Sequence, residues 1–277
     1  MEVSIDFLKQ MAFNVYDKVH PLIGTEEAVK NYERGAGGDI SMHIDIVAEN
    51  AIIEFIERSN IDLLLISEEV GEKYIGDKDN AMKNQYKLIV DPIDGSSNAV
   101  RGVPFSSVSI AFAVGNKIAN IKKAVIIDLT TRDLYSAERG RGAFLNGNKI
   151  SVSDRDKQEL IFEIDYRLRN LTETLNKYKR IIGKSNRIRT MGSCALSLCQ
   201  VAKGSMDAYI NFKEIIRLVD AAAGILLVKE AGGKVFTFEG TEIDEELSIN
   251  TRFAFIASNV KLEQYFKKEL EKINSKE

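Results

Sequence analysis

The stretch from Tyr86 to Ser96 constrains the chain more than any other. An apolar, strand-like run, Tyr86 to Val90, ends in a tight turn, Asp91-Pro92-Ile93-Asp94-Gly95-Ser96. Proline fixes its own φ and biases the preceding residue toward extended geometry, so Asp91 and Asp94 are placed where both carboxylates can reach one cation. Gly95 allows a ligand close to the backbone, and the N–H groups after it can face an oxyanion. Asp, Pro, Gly and Ser are also ordinary turn residues, so these six positions alone fit a capped turn equally well.

The rest of the chain narrows the setting. Its 277 residues, 44% of them hydrophobic, can bury one large core or two closely packed ones. A net charge of −3 gives no global attraction to nucleic acid or to an anionic membrane. No apolar run reaches the roughly 18 residues of a membrane helix, and the N-terminus MEVSIDFLKQ lacks a basic leader. A soluble, cytoplasmic protein with no nucleic-acid or membrane partner is expected. Cys194 and Cys199 fall on different faces of a predicted helix and read as small buried apolar residues, not as a disulfide or zinc pair.

Helical spacing predicts helices over Ile5 to Val19 and from about Ser41, the second carrying Ile44, Val47, Ala48, Ala51 and Phe55. Asp62 to Ser67 suits a buried strand that ends at Glu68-Glu69. Strands follow at Val108 to Val114, Ile118 to Asp128 and Asp133 to Ala137. Beyond Ser153, strands Leu160 to Asp165, Arg187 to Thr190 and Met206 to Asn211 alternate with helices near Leu171 to Tyr178, Ser193 to Lys203 and Leu218 to Ala231. Strands Lys234 to Phe238 and Phe253 to Ala257 precede a last helix capped by Asn259. This is an α+β plan with helices covering mixed sheets, divided by its change of pattern into residues 1–152 and 153–277.

Four acids stand at element ends. Glu68 follows one apolar strand, Asp91 and Asp94 follow another, and Asp220 opens an Ala-rich helix. Rigid ends of this kind can converge, and an all-oxygen set without His or Cys favours Mg²⁺ or Mn²⁺. Singly, each acid has a plainer role: Asp220 as a charge at a helix N-terminus, Asp45 on a polar helix face, Glu69 in solvent.

Ile66-Ser-Glu-Glu69, Asp91 to Ser96 with Asn98, Gly102 and Pro104, and Val219-Asp-Ala-Ala-Ala-Gly224 through Glu230-Ala-Gly-Gly233 resemble the signatures of the inositol monophosphatase family, over nearly the whole chain. Gly38-Asp39 followed by Ile44-Asp45 looks most like the archaeal members that act as both inositol monophosphatase and fructose-1,6-bisphosphatase. The resemblance implies a layered α-β-α-β-α sandwich with two mixed or antiparallel sheets. It implies a Mg²⁺-dependent phosphomonoesterase of carbohydrate metabolism, hydrolysing fructose-1,6-bisphosphate and inositol monophosphate, and a homodimer.

It also implies roles at positions of this sequence. Glu68, Asp91 and the Ile93 carbonyl would hold a first metal, Asp91, Asp94 and Asp220 a second, and Glu68 with Asp45 a weaker third. Asp94 and the Gly95 and Ser96 N–H groups would bind the phosphate. The Ser96 hydroxyl, paired with Asp45, would orient or deprotonate a water activated by the metals, for direct attack without a phosphoenzyme. Many relatives have Thr at position 96; Ser keeps the hydroxyl and loses the methyl that restricts its rotamer.

For the alcohol part, Met191-Gly-Ser-Cys-Ala195 aligns with a substrate loop, making Ser193 and Ala195 candidates for hydroxyl recognition. Tyr166, Arg167, Lys213 and Arg217 could meet a second phosphate, or stand as solvated charges and, for Tyr166, a core edge. Relatives place acids near Asn211 to grip inositol, and the amide here favours the sugar bisphosphate. A 3'-phosphoadenosine 5'-phosphate phosphatase and a regulatory binder are the alternatives.

Overall fold

The central strands are buried on both faces, alternate residues facing two different cores. The structure is a computed structural model describing residues 3–30, 33, 34, 40–166 and 168–275; the side chains at 33, 34, 40 and 213–215 are not among those described. Helices α1 (Ile5–Val19) and α2 (His43–Glu57) flank a short ladder of β1 (Glu33–Arg34) and β2 (Ile40–Ser41). Ser4 caps α1, its Oγ accepting the Phe7 N–H at 3.1 Å.

An eight-stranded sheet follows. It comprises β3 (Leu63–Ser67), β4 (Gly71–Ile75), β5 (Tyr86–Asp94), β6 (Ser107–Val114), β7 (Ile121–Asp128), β8 (Leu134–Glu138), β9 (Gly142–Leu145) and β10 (Asn148–Ile150), in the order β10-β9-β8-β7-β6-β5-β3-β4. Two short helices interrupt it, α3 (Lys78–Asn84) and α4 (Ser96–Arg101). Within this sheet, among the described residues, only β3 and β5 pair in parallel. A second sheet has the order β12-β11-β13-β15-β14, from β11 (Ile161–Asp165), β12 (Arg187–Arg189), β13 (Ala208–Arg217), β14 (Lys234–Phe236) and β15 (Arg252–Ser258). Its helices are α5 (Leu171–Lys177), α6 (Lys179–Ile182), α7 (Cys194–Ala202), α8 (Leu218–Glu230) and α9 (Val260–Asn274).

Leu63, Leu65, Leu88, Val90, Ile110 and Phe112 pack under α1 and α2, while their strand neighbours Leu64, Ile66, Ile89 and Ala111 face the α7 and α8 side. The second sheet does the same. Tyr209, Phe255 and Ala257 face the central core, and Ile210, Ile256 and Phe162 face Ile181, Leu262 and Phe266 of α6 and α9. The result is the expected five layers, helix-sheet-helix-sheet-helix. In α8 every residue from Leu218 to Val228 is buried, as a helix enclosed between two sheets requires. The two sheets fall on either side of residue 152, yet the central apolar cluster draws on both parts of the chain.

Several boundaries differ from the sequence expectation. Asp91 to Ser96 is not a tight turn: β5 runs on through Asp94 and the chain turns only at Gly95. Asp91 pairs with Ser109 and Asp94 with Ser107, so one extra residue is accommodated where Pro92 has no N–H for the ladder. The strand expected from Ile118 begins at Ile121 after a 3₁₀ turn, Ile118–Asn120. The strand expected to stop at Asn211 continues to Arg217 through a register shift between Asn211 and Ile216.

Two consequences can be measured. Gly224 lies where α8 meets α7, and a Cβ there would stand 2.4 Å from Leu198 Cδ1 and 2.6 Å from its Cβ. Gly224→Ala should therefore destabilise the fold by about 1–3 kcal/mol, despite alanine's better helix propensity, as read by denaturant unfolding. Glu163 is buried in β11; its Oε1 accepts the Met191 N–H at 3.1 Å, and its Oε2 has no partner among the described residues. The nearby Ser197 hydroxyl donates instead to the Ser193 carbonyl. Burial pushes the Glu163 carboxyl up to about 7. A folded value above the unfolded one gives stability that is complete below the unfolded pKa and lost as pH rises through the folded one. The stability of Glu163→Gln relative to the wild type should rise by up to roughly 3 kcal/mol between pH 5 and pH 8. A pH-independent difference in urea unfolding would refute the assignment.

Candidate active site

Three of the four element-end acids converge. Glu68 follows β3, Asp91 lies in the irregular end of β5, and Asp220 is in the first turn of α8; one carboxylate oxygen from each lies within 4.8 Å of the others. Parallel pairing of β3 with β5 puts their C-terminal ends side by side, which is why acids 23 positions apart in sequence meet. Asp91 is fully buried. Its Oδ1 accepts the Ile93 N–H at 3.1 Å, and its Oδ2 has no partner among the described residues.

Arg217, expected at a second phosphate, faces these acids instead. As the residue before α8 it donates from Nε to Asp220 Oδ1 at 3.0 Å and from Nη1 to Glu68. Its guanidinium is held charged: burial opposes the charge, but Asp220, Glu68 and Asp91 together outweigh it. Burial also pushes Asp91 well above the usual carboxylate range, with Glu68, Asp220 and Asp94 adding to the effect. Burial raises Glu68 too, against the pull of Arg217. Three buried carboxyls around one guanidinium leave an excess of negative charge that favours either protonation or cations. An all-oxygen donor set with an orphaned, buried carboxylate oxygen fits a hard divalent cation such as Mg²⁺ or Mn²⁺.

Asp94 is not among the acids whose oxygens meet, but it lies near enough that its charge raises Asp91 and that of Asp220 raises it. Its Oδ2 accepts the Ser193 hydroxyl and the Ala195 N–H, each at 2.6 Å, and its Oδ1 accepts the Cys194 N–H at 3.2 Å. A carboxylate at the N-terminus of α7 suits the helix dipole and the unsatisfied first-turn donors. Ser193 and Ala195, the candidates for hydroxyl recognition, are thereby fastened to the end of β5. Gly95, beside Asp94, has φ +89°, and a Cβ there would lie 3.0 Å from the Phe105 carbonyl and 3.2 Å from that of Gly192. Only glycine suits this junction of β5, α4 and the Met191–Ser193 loop.

Asp45 and Ser96 lie together. Asp45 Oδ2 accepts the Met42 N–H at 2.7 Å, and burial raises its carboxyl to about 6 against the lowering effect of the Met42 and Ser96 hydrogen bonds. The Ser96 hydroxyl also reaches the Ile93 carbonyl at 2.9 Å, so its one proton has two acceptors. Behind them lies Glu49, which the sequence reading passed over. It accepts the Ser67 hydroxyl at 2.5 Å and a backbone N–H of Glu69, bracing the strand end that carries Glu68. The available signal was its position four residues after Asp45 on one helix face.

The remaining substrate candidates are less defined. Tyr166 is half-buried against the outer core of the second sheet. Arg167 lies outside the described residues, as do Gly38 and Asp39; Lys213 lies in β13 with its side chain outside them.

Known proteins resemble this chain in sequence and fold. A fructose-1,6-bisphosphatase/inositol-1-monophosphatase from Methanothermobacter thermautotrophicus is 36% identical, over 95% of each chain. A bifunctional NADP phosphatase/NAD kinase from Methanococcus maripaludis is 35% identical over 92% of this chain, which spans about half (47%) of that longer protein. Among solved structures, an inositol monophosphatase-fructose 1,6 bisphosphatase superposes with a TM-score of 0.82 at 25% identity, covering 96% of this chain and 98% of that one. The model of the inositol monophosphatase family matches residues 1–275, a span that takes in both sheets and all three converging acids, and the chain belongs to that family.

Proposed function

We propose that the chain is a metal-dependent phosphoric monoester hydrolase acting on fructose-1,6-bisphosphate and inositol monophosphate, in the cytoplasm and as a homodimer. The observation that carries this reading is the group Glu68, Asp91 and Asp220, with a buried Asp91 oxygen that no donor of the described residues satisfies. Glu68, Asp91 and Asp220, joined by Asp94, the Ile93 carbonyl and Asp45, would hold two or three Mg²⁺ ions. Bound there, Mg²⁺ neutralises a phosphate monoester and makes water nucleophilic at neutral pH.

This chain's own residues supply the rest. The turn at Gly95 and the start of α4 at Ser96 offer backbone N–H groups to the phosphate oxygens. Ser96, between Asp45 and the Ile93 carbonyl, holds the attacking water and passes its proton toward Asp45. The Ser193 hydroxyl and the Ala195 N–H, both donating to Asp94, would hold in place the loop that receives the alcohol part. Arg217 tempers the charge of the acid group and is available to follow charge that develops on the ester. A second reading, hydrolysis of a nucleotide phosphomonoester, is favoured by the 35% identity over about half (47%) of the bifunctional NADP phosphatase/NAD kinase.

Phosphate release with Mg²⁺ is expected from both fructose-1,6-bisphosphate and inositol-1-phosphate, and chelation should abolish it. Asp91→Asn should lower kcat about a hundredfold or more, and Ser96→Ala by about 10²–10⁴. Undiminished turnover in Asp91→Asn would overturn the metal assignment. A rise in KM with kcat unchanged in Ser96→Ala would remove Ser96 from the proton path.

A further inference from the structure

A basic cleft lies at the end of the second sheet away from the acids. It has a volume of about 460 Å³, within the usual span of small-molecule sites, and its lining includes Arg155, Arg187, Arg189 and Glu159. Ile161, at the start of β11, lies beside the start of β13 and forms part of its wall. Arg217, at the acid group, pairs with Arg252 of β15, whereas Ala208 pairs with Ser258; these two pairs stand six residues, about 20 Å, apart along β15.

The arginines face the cleft for local reasons. Arg187 and Arg189 are alternate residues of the edge strand β12, so both project from one face, and both are exposed. Arg189 donates from Nη1 to the neighbouring Ile188 carbonyl at 2.9 Å, and neither residue has a carboxylate partner among the described residues. Glu163, opposite Arg189 in register, is committed to the Met191 N–H. Arg155 is held differently. The fully buried Asp207 accepts its Nε at 2.8 Å, the Ser153 hydroxyl at 2.5 Å and the Ile161 N–H at 2.9 Å. Arg155 Nη2 donates to the Gly204 carbonyl at 2.6 Å, which leaves Nη1 unpaired among the described residues.

A guanidinium already fixed by a buried carboxylate loses little freedom on binding, and its planar fork matches phosphate oxygens. Asp207 offsets the charge of Arg155, so Arg187 and Arg189 stand against Glu159 alone and the cleft keeps a positive excess. Arg187 and Arg189 leave the strand about 7 Å apart, a spacing that suits more than one phosphate group.

We propose that this cleft binds a small anion of two or more linked phosphate groups, held by the guanidinium groups of Arg155, Arg187 and Arg189. The site is separate from the acid group and does not depend on the phosphatase reading. It has a structural consequence. β12 leads directly into the loop whose Thr190 hydroxyl donates to the Ile164 carbonyl at 3.0 Å and whose Ser193 hydroxyl donates to Asp94. An anion joining Arg155 to β12 therefore ties down the sheet edge from which that loop springs.

Isothermal titration with inorganic tripolyphosphate tests the site, in EDTA so that no divalent cation draws the probe to the acids. One equivalent should bind the wild type, more weakly as salt rises. Arg187→Gln and Arg189→Gln should each weaken binding about tenfold and the double variant about a hundredfold. Their urea midpoints should stay at the wild-type value, because both side chains are exposed. Asp91→Asn should bind the probe as the wild type does. Exchange of the amide hydrogens of residues 187–191 should slow when the probe is added. Undiminished binding in the double variant would overturn the site. Loss of binding in Asp91→Asn would also overturn it, by placing the anion at the acid group. No binding to the wild type, with a mass by light scattering that falls in the arginine variants, would assign these arginines to a contact between copies and overturn it as well. The phosphatase reading is untouched by each of these results, since it is tested with the metal present.

Discussion

Burial of several carboxyls around one guanidinium is the interaction on which the rest of this structure turns. Asp91 is wholly enclosed, Glu68 and Asp220 nearly so, and Arg217 bridges two of them. Buried charge is costly unless paired, and here the pairing is incomplete: three acids face one cation. The scaffold must therefore hold like charges together against their repulsion. It does so with three rigid elements whose ends meet, the parallel strands β3 and β5 and the helix α8, each clamped by apolar packing well away from the acids.

The central layer makes that clamping possible. Helix α8 is buried on all sides between the two sheets, so Asp220 in its first turn cannot move without disturbing both. Gly224 lets α7 approach α8 closely, and α7 in turn presents its N-terminus to Asp94. A packing contact about one helical turn beyond Asp220 thus sets where the Ser193–Ala195 loop lies. Glu49 plays the matching part on the other side, joining α2 to the end of β3 through Ser67 and the Glu69 backbone.

Much of the fold was legible because its signals are local. The helix from Ile5 to Val19, the Asn259 cap and the run of buried residues in Leu63–Ser67 follow from periodicity, side-chain capping and apolar content. Less legible were features governed by partners distant in sequence. Nothing local to Asp91 states that Pro92 would be absorbed as an irregularity within a continuing strand, because that depends on β6 supplying Ser107 and Ser109 opposite it. Likewise the extension of β13 beyond Asn211 depends on β15 pairing with Ile216 and Arg217.

For the site, the sequence by itself determined the residue types and hence the chemistry: acids at strand and helix ends without His or Cys, a glycine where φ must be positive, and a hydroxyl after it. Composition and motif order carry that information because ligand preference is a property of the atoms themselves. Only the tertiary structure decided which of these groups meet. It gathered Glu68, Asp91 and Asp220, turned Asp94 onto the α7 N-terminus and set Arg217 among the acids in place of a distant phosphate. Those outcomes depend on strand register and helix packing between segments from 23 to 149 residues apart, which no local pattern encodes.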